Sequence, residues 1–283
     1  MYESLLELHP KIETNEGPFT LSTAAGHERK TTGSYYTPTA LINCLLDAAL
    51  EPVVMEALNK PTPAEAEKAL LNLKVCDPAC GSGHFLIASA ERLAKRLASL
   101  RTGDEEPSTL AILRAKRDII GRCIYGVDMN PMAVELCKVS LWMEAIEPGK
   151  PLSFLDHHIR IGNSLLGTTP ELMAVGLPDE TFTAIEGDDK KACTVLKKRN
   201  KSEREGIGGL FAQQEADTQA ILQQAAAALE ELPDNLTEDI QAKELAFRRH
   251  EDTDEYRHKK ELADAWCAAF AINKHFREPG RDA

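Results

Sequence analysis

The stretch Val75-Cys76-Asp77-Pro78-Ala79-Cys80-Gly81-Ser82-Gly83-His84-Phe85-Leu86 decides the fold. Leu71, Leu73, Val75 and Cys76 lead into it as an apolar run of strand character. Leu86, Ile87, Ala90, Leu93, Ala94 and Leu97 follow at helical spacing. A strand that stops at Gly-Ser-Gly before a helix lets backbone come close to a ligand, because glycine has no Cβ to clash. The amides at the new helix's N-terminus suit an anionic group. A dinucleotide fingerprint would read G-x-G-x-x-G with an acidic residue about 20 positions on. Here Leu86 stands at the third glycine's place, and the next plausible acidic residue, Asp128, comes far too late.

Two more strands follow the same plan. Cys123-Ile124-Tyr125-Gly126-Val127-Asp128 reads as a buried strand, and Asn130-Pro131 caps a helix bearing Val134, Cys137, Leu141 and Ala145. Ile159 to Leu166 reads as a third strand with its exit loop. Strand, helix, strand, helix, strand is a parallel-sheet pattern. Right-handed crossovers place all the loops on one carboxyl edge of the sheet. Ahead of it, Thr37 suits an N-cap and Pro38 a first helical position, with Leu41, Cys44, Leu45, Ala48 and Ala49 on one stripe.

Residues 1–34 are polar and punctuated by Gly17, Pro18, Gly26 and Gly33, and read as a loosely structured lead-in. Beyond Thr168 the pattern changes. Lys190 to Arg204 is locally basic, Gly206 to Gly209 makes a joint, and Phe211 to Leu232 has helical spacing. Glu238 to Phe276 continues as one or two charged helices, so 171–283 is expected to be an antiparallel helical arm. The expected division is therefore a lead-in over 1–34, an α/β core over 35–170 and the arm over 171–283.

The 283 residues are 43% apolar, enough for a sizeable core, and carry a net charge of -12. That balance is wrong for a self-sufficient nucleic-acid binder, since phosphate contacts need Lys and Arg. The seven cysteines show no C-x-x-C pair, so reduced, buried thiols in a cytoplasmic protein are expected. The N-terminus lacks the marks of a signal peptide, and no apolar run is long enough for a membrane span. Adjacent His157 and His158 should point apart on the surface, with no metal site between them.

Four motifs now stand in order: Tyr35-Tyr36-Thr37-Pro38, Asp77 to Phe85, Gly126-Val127-Asp128-Met129-Asn130-Pro131, and Gly162-Asn163-Ser164-Leu165-Leu166. Together they resemble the large N6-adenine DNA methyltransferases of type II restriction-modification and BREX-like phage-defence systems. The resemblance covers about residues 30 to 170 and, more weakly, the arm ending in Ala263 to Phe270. It implies a Rossmann-like sheet that binds S-adenosylmethionine, acting on duplex DNA. Methylation of RNA or of protein glutamine uses similar motifs, but Tyr-Tyr-Thr-Pro ahead of the glycine loop argues for DNA.

On that resemblance Tyr36, Thr37 and Pro38 close over the methionine end of the cofactor, beside Asp77, Pro78, Ala79, Gly81, Gly83 and Phe85. Asp128 is placed to accept hydrogen bonds from both ribose hydroxyls, since a carboxylate offers two acceptor oxygens. Met129 walls the adenine ring. Asn163 stands where the family usually has an Asp that reads the adenine amine, and its amide oxygen can still accept. The family's catalytic Asn-Pro-Pro-aromatic loop is absent from the 283 residues, so no catalytic residue is assigned. The expectation is a cofactor-binding portion whose catalytic loop and target recognition lie in a downstream segment or partner chain. The alternative is a non-catalytic cofactor-binding remnant or interaction subunit.

Overall fold

The computed structural model describes residues 8–11, 20–23, 37–206 and 212–275. Strands β1 (Leu8–Lys11) and β2 (Thr20–Thr23) pair antiparallel, Leu8 opposite Thr23. This segment reads in sequence as polar punctuation, because two four-residue strands are too short to show a periodic pattern. Helix α1 (Thr39–Leu45) passes through a π-helical turn (Leu46–Leu50) into α2 (Glu51–Leu58), and α3 (Pro63–Leu71) follows. The expected cap at Thr37 is displaced by one residue. Pro38 is the N-cap, with extended ψ of 139°, and its carbonyl accepts from the Leu41 and Ile42 amides at 2.9 and 3.2 Å.

Strand β3 (Val75–Asp77) leads through the glycine loop into α4 (His84–Thr102), then α5 (Thr109–Cys123) and β4 (Ile124–Asp128). Helix α6 (Pro131–Glu144) and strand β5 (Ile159–Ile161) complete the pattern. The three strands form a small parallel sheet in the order β3-β4-β5, Asp77 opposite Gly126 and Asp128 opposite Ile161. Local signals set the helix starts. Thr62 and Asn130 accept at their N-caps from the amides of Glu65 and Met132, and Pro63 and Pro131 take the first helical positions. Gly103, at φ +72°, ends α4 in the left-handed conformation that glycine tolerates.

The core lies between the sheet and α4, α5 and α6: Leu86, Leu93, Leu97, Ile119, Ile120, Ile124, Leu141, Leu155 and Ile159 are all buried. Each such side chain contributes about 1.5–3 kcal/mol through removal from water. Beyond β5 come α7 (Pro170–Val175), a 3₁₀ turn (Asp179–Phe182), α8 (Lys190–Gly206), α9 (Ala212–Glu231), α10 (Thr237–Glu251) and α11 (Asp254–Ala271). Most of the joint expected over Gly206 to Gly209 lies outside the described residues.

Contacts divide the chain into a first unit, Met1–Ser164 with Pro233–Glu244, and a second, Leu165–Leu232 with Leu245–Ala283. The inclusion of Pro233–Glu244 in the first unit has a polar cause. Arg117, 3% exposed, donates to the carbonyls of Pro151 and Asp234 at 2.7 and 2.6 Å, and Ser153 Oγ donates to Asp234 Oδ2 at 3.1 Å. In the second unit the end of α11 is tied to the loop before α8. Asp188 accepts from the amides of Ile185 and Lys274 at 3.0 and 2.7 Å.

Two further expectations need correction. All seven cysteines are free, but Cys44 and Cys76 are exposed, because Cys44 sits on the outer side of a short helix and Cys76 faces away from the core. His157 and His158 are not surface residues pointing apart. His158 is 2% exposed, its ring centroid is 4.0 Å from those of both Tyr125 and His157, and Phe154 stacks on His157 at 5.3 Å. A tight turn before β5 folds the two rings together, which strand or helix geometry would not. Among the described residues no helix is long and apolar enough to cross a membrane.

Candidate functional site

Because β3, β4 and β5 run parallel, Asp77, Asp128 and the Gly162-Asn163 exit all emerge on one edge of the sheet. Asp128 organises that edge. Its Oδ2 accepts from the Gly81 amide at 2.9 Å and its Oδ1 from the Asn130 amide at 2.8 Å. Its carbonyl accepts from the Gly162 amide at 2.9 Å, and the neighbouring Val127 carbonyl from the Cys80 amide at 2.9 Å. One residue thus gathers the exits of all three strands. A carboxylate has about four acceptor positions, so each oxygen keeps one for a further donor.

The glycines divide by surroundings. Gly81, at φ +53°, has open space where a Cβ would stand, so backbone there is accessible to a ligand. Gly83, at φ +92°, lies over Cys137, whose Sγ would be 2.8 Å from an added Cβ. Gly126 in mid-strand lies against Leu86 Cδ1, 2.9 Å from its Cβ position. A glycine inside a strand signals this kind of close approach, and the sequence could have flagged it.

Electrostatics follow from burial and crowding. Burial first, and the nearby Asp128 carboxylate, push the Asp77 carboxyl above its ordinary range, against the opposing donation of the Ala79 amide. Burial holds the His84 imidazole below its ordinary value, and Ser82 Oγ lies 3.2 Å from its Nδ1. A hydrogen bond with the Cys80 thiol, then burial, push the Cys137 thiol far up, which makes it an inert packing group. The edge therefore holds two neighbouring carboxylates, and among the described residues no lysine or arginine is hydrogen-bonded to either. Such an arrangement favours a ligand carrying positive charge and hydroxyl donors.

A largely apolar pocket of about 400 Å³ opens beside Asp77, between β3, the start of α4 and the α1–α2 segment. Pro78 and Phe85 line it with Leu45, Leu50, Val53 and Val75. Thus Asp77, Pro78, Ala79, Gly81, Phe85 and Asp128 are brought together. Met129 follows Asp128 and is 58% exposed. Asn163, half-buried, follows the Gly162 that bonds Asp128. Thr37 and Pro38 precede α1, and no hydrogen bond joins them to the glycine loop; Tyr36 lies outside the described residues. Among the described residues no group of three His, Cys, Asp or Glu could hold a metal ion.

Comparison with known proteins gives a consistent picture. The N-6 DNA methylase family matches residues 18–185, and the Eco57I restriction-modification methylase family matches 122–276. A Methanocaldococcus jannaschii protein assigned as a type II restriction enzyme and methyltransferase is 28% identical over 59% of this chain and 17% of its own length. The adenine-specific methyltransferase PglX of Streptomyces coelicolor is 30% identical over 49% of this chain and 10% of its own. The type II restriction enzyme and methyltransferase Eco57I of Escherichia coli is 31% identical over 34% and 11%. The chain therefore spans between 10% and 17% of the length of these relatives. No solved structure matches it.

Proposed function

Since this chain belongs to the N-6 DNA methylase family, we propose that it is the S-adenosylmethionine-binding part of an enzyme that methylates adenine N6 in DNA. Within that reading the three-stranded sheet is part of a Rossmann-like methyltransferase sheet in the 35–170 core, and the enzyme serves restriction-modification or phage defence in the cytoplasm. The family and the names of the relatives support the chemistry. The observation that carries the site is the Asp128 carboxylate, which accepts from Gly81 and Asn130 and keeps one acceptor position per oxygen.

The residues present fit the cofactor. S-adenosylmethionine supplies an electrophilic methyl group on a cationic sulfur. Asp128 accepts from the two ribose hydroxyls with its remaining acceptor positions. Asp77, crowded by Asp128, favours a cation, so the ammonium of the methionine end belongs beside it. Gly81 leaves room for the ligand against the backbone. Met129 and Pro78 offer apolar surface, Phe85 lines the adjoining pocket, and the Asn163 amide oxygen accepts from the adenine amine. Thr37 and Pro38 would border the methionine end, as the family resemblance implies.

The sequence contains no Asn-Pro-Pro-aromatic string, so we place the loop that holds the flipped adenine in another segment or chain of the enzyme. The test is calorimetric titration of S-adenosylmethionine, with NADH as the negative comparison. The chain should bind the first and not the second. Asp128→Ala should lose about 1.5–3 kcal/mol for a charged acceptor, roughly tenfold or more in affinity. Equal affinity in the variant, or saturable binding of NADH, would overturn the reading.

A further inference from the structure

Helix α8 carries Lys190, Lys191, Lys197, Lys198, Arg199, Lys201 and Arg204 against only Glu203 and Glu205, in a chain of net charge -12. The helix separates these charges by face. On the inner side Ala192 and Cys193 are buried. Asn200 and Arg204 donate to the Leu177 carbonyl at 2.9 and 3.0 Å, and Arg204 and Lys197 reach Asp179 at 2.7 and 3.8 Å. Arg199 pairs with Glu203 at 2.7 Å. At 100° per residue, Lys190, Lys191, Lys198 and Lys201 fall on the outer side with Thr194, and Glu205 is the one acidic position among them. All four lysines are exposed, and none takes part in an ion pair among the described residues.

We propose that this outer face of α8 is a sequence-independent contact for the phosphate backbone of duplex DNA. The choice of DNA rests on the function proposed above; the face itself stands on its own geometry. Lys190 and Lys201 are eleven residues apart, about 16 Å along the helix axis, comparable to about five nucleotide steps of a duplex at 3.4 Å of axial rise each. Acidic residues beyond about 10 Å are screened at 0.1 M salt. Of those nearby, Asp179 is paired with Lys197 and Arg204, Glu203 with Arg199 and Asp188 with Lys274, while Asp189 accepts from the Lys191 and Ala192 amides. Side chains on the face argue for phosphate over other partners. Protein interfaces favour aromatic residues, Met and Arg at their centres and deplete Lys, and the only large apolar residue here is Val195. Base edges are read mainly by Arg, Asn and Gln, and that face has none. Lysines as point charges position a duplex without reading it.

The experiment measures fluorescence anisotropy of a labelled 30-base-pair duplex with the 283-residue chain at 50 and 200 mM salt. Four phosphate contacts give a log–log salt slope of about -3.6, so affinity should fall about 150-fold between the two salts. A variant with Lys190→Gln, Lys191→Gln, Lys198→Gln and Lys201→Gln keeps helix propensity. It should bind at least tenfold more weakly at 50 mM, with a slope near zero. A control carrying Lys60→Gln, Lys68→Gln and Lys95→Gln should bind as the unmutated chain does. No binding at 50 mM, an unchanged slope in the α8 variant, or equal displacement by polyglutamate would overturn the proposal. Titration of S-adenosylmethionine into the same samples separates the two readings. Intact cofactor binding with α8-independent DNA binding overturns this inference alone; absent cofactor binding overturns the proposed function.

Discussion

Two aspartates in this chain do the same local work with opposite outcomes. Asp128, at the end of β4, and Asp188, before α8, each accept two backbone amides and so tie separate stretches of chain together. The Asp188 side chain is fully buried, with Lys274 Nζ 3.8 Å away and the Cys193 thiol donating at 3.5 Å. Donation from the Ile185 amide, then from the Lys274 amide, lowers its pKa to about 2. That carboxylate is spent on the fold. Asp128 has a second carboxylate, Asp77, for a neighbour instead of a lysine, and the glycine it holds has open space above it. A carboxylate knot becomes a binding site when charge and space are left over, and a structural clasp when they are used up.

The glycine loop gives the sharpest way to break that comparison. Gly83→Ala adds a Cβ 2.8 Å from Cys137 Sγ at φ +92°. Left-handed strain of about 1–2 kcal/mol and overpacking of about 1–3 kcal/mol should together lower stability by about 3 kcal/mol. Gly81→Ala meets no atom within 4 Å and should cost only the strain of about 1 kcal/mol, yet weaken cofactor binding because the methyl occupies ligand space. Chemical denaturation and calorimetry on both variants decide the matter. Equal stability losses, or unimpaired binding by Gly81→Ala, would erase the distinction.

Asp188→Ala should leave cofactor affinity unchanged while loosening residues 185–193 and 272–274, read as faster amide exchange there. Its pH signature has a definite sign. The folded pKa is depressed from 3.8 to about 2, so the stabilisation is fully present above pH 3.8 and is lost as pH falls toward 2. The unmutated clasp should hold at pH 4 and open near pH 2; opening above pH 5 would contradict this account.

Asp77 carries the opposite sign and the smallest effect. Its folded pKa is raised, so the folded state binds more protons than the unfolded one just above 3.8. Stability should fall slightly as pH rises through that window, and the loss should vanish in Asp77→Asn. Cofactor affinity should move the other way, weakening as pH falls and Asp77 is protonated. Thermal shift with and without S-adenosylmethionine between pH 4 and 7 checks both directions. A pH-independent affinity would remove Asp77 from contact with the cation.

The parallel three-strand pattern was legible because each strand is short, apolar and followed by an amphipathic helix with clear caps, as at Asn130-Pro131. The loops of the candidate site were legible for the same reason, since parallel strands put their exits on one edge. What escaped depends on distant partners. Nothing near Arg117 in sequence announces that it will bridge the Pro151 and Asp234 carbonyls and hold Pro233–Glu244 to the first unit. The burial of His158 is not visible in the sequence because a turn, not a strand, sets its direction, and Tyr125 and His157 supply its surroundings. Burial first, then the neighbouring His157 and the buried Lys243 on α10, hold the His158 imidazole well below its ordinary pKa. Gly81 and Gly83 look alike in sequence, both in the glycine loop; only the packing of Cys137 against the second separates them.

The most direct test of the central claim is amide hydrogen exchange of the chain with and without saturating S-adenosylmethionine. The account predicts protection at residues 77–83, 126–131 and 161–164, where Asp128 gathers the strand exits, and none at 185–189 or 272–274, where Asp188 is already saturated. Protection confined to the Asp188 clasp, or none at the sheet edge under conditions where binding is saturated, would contradict it.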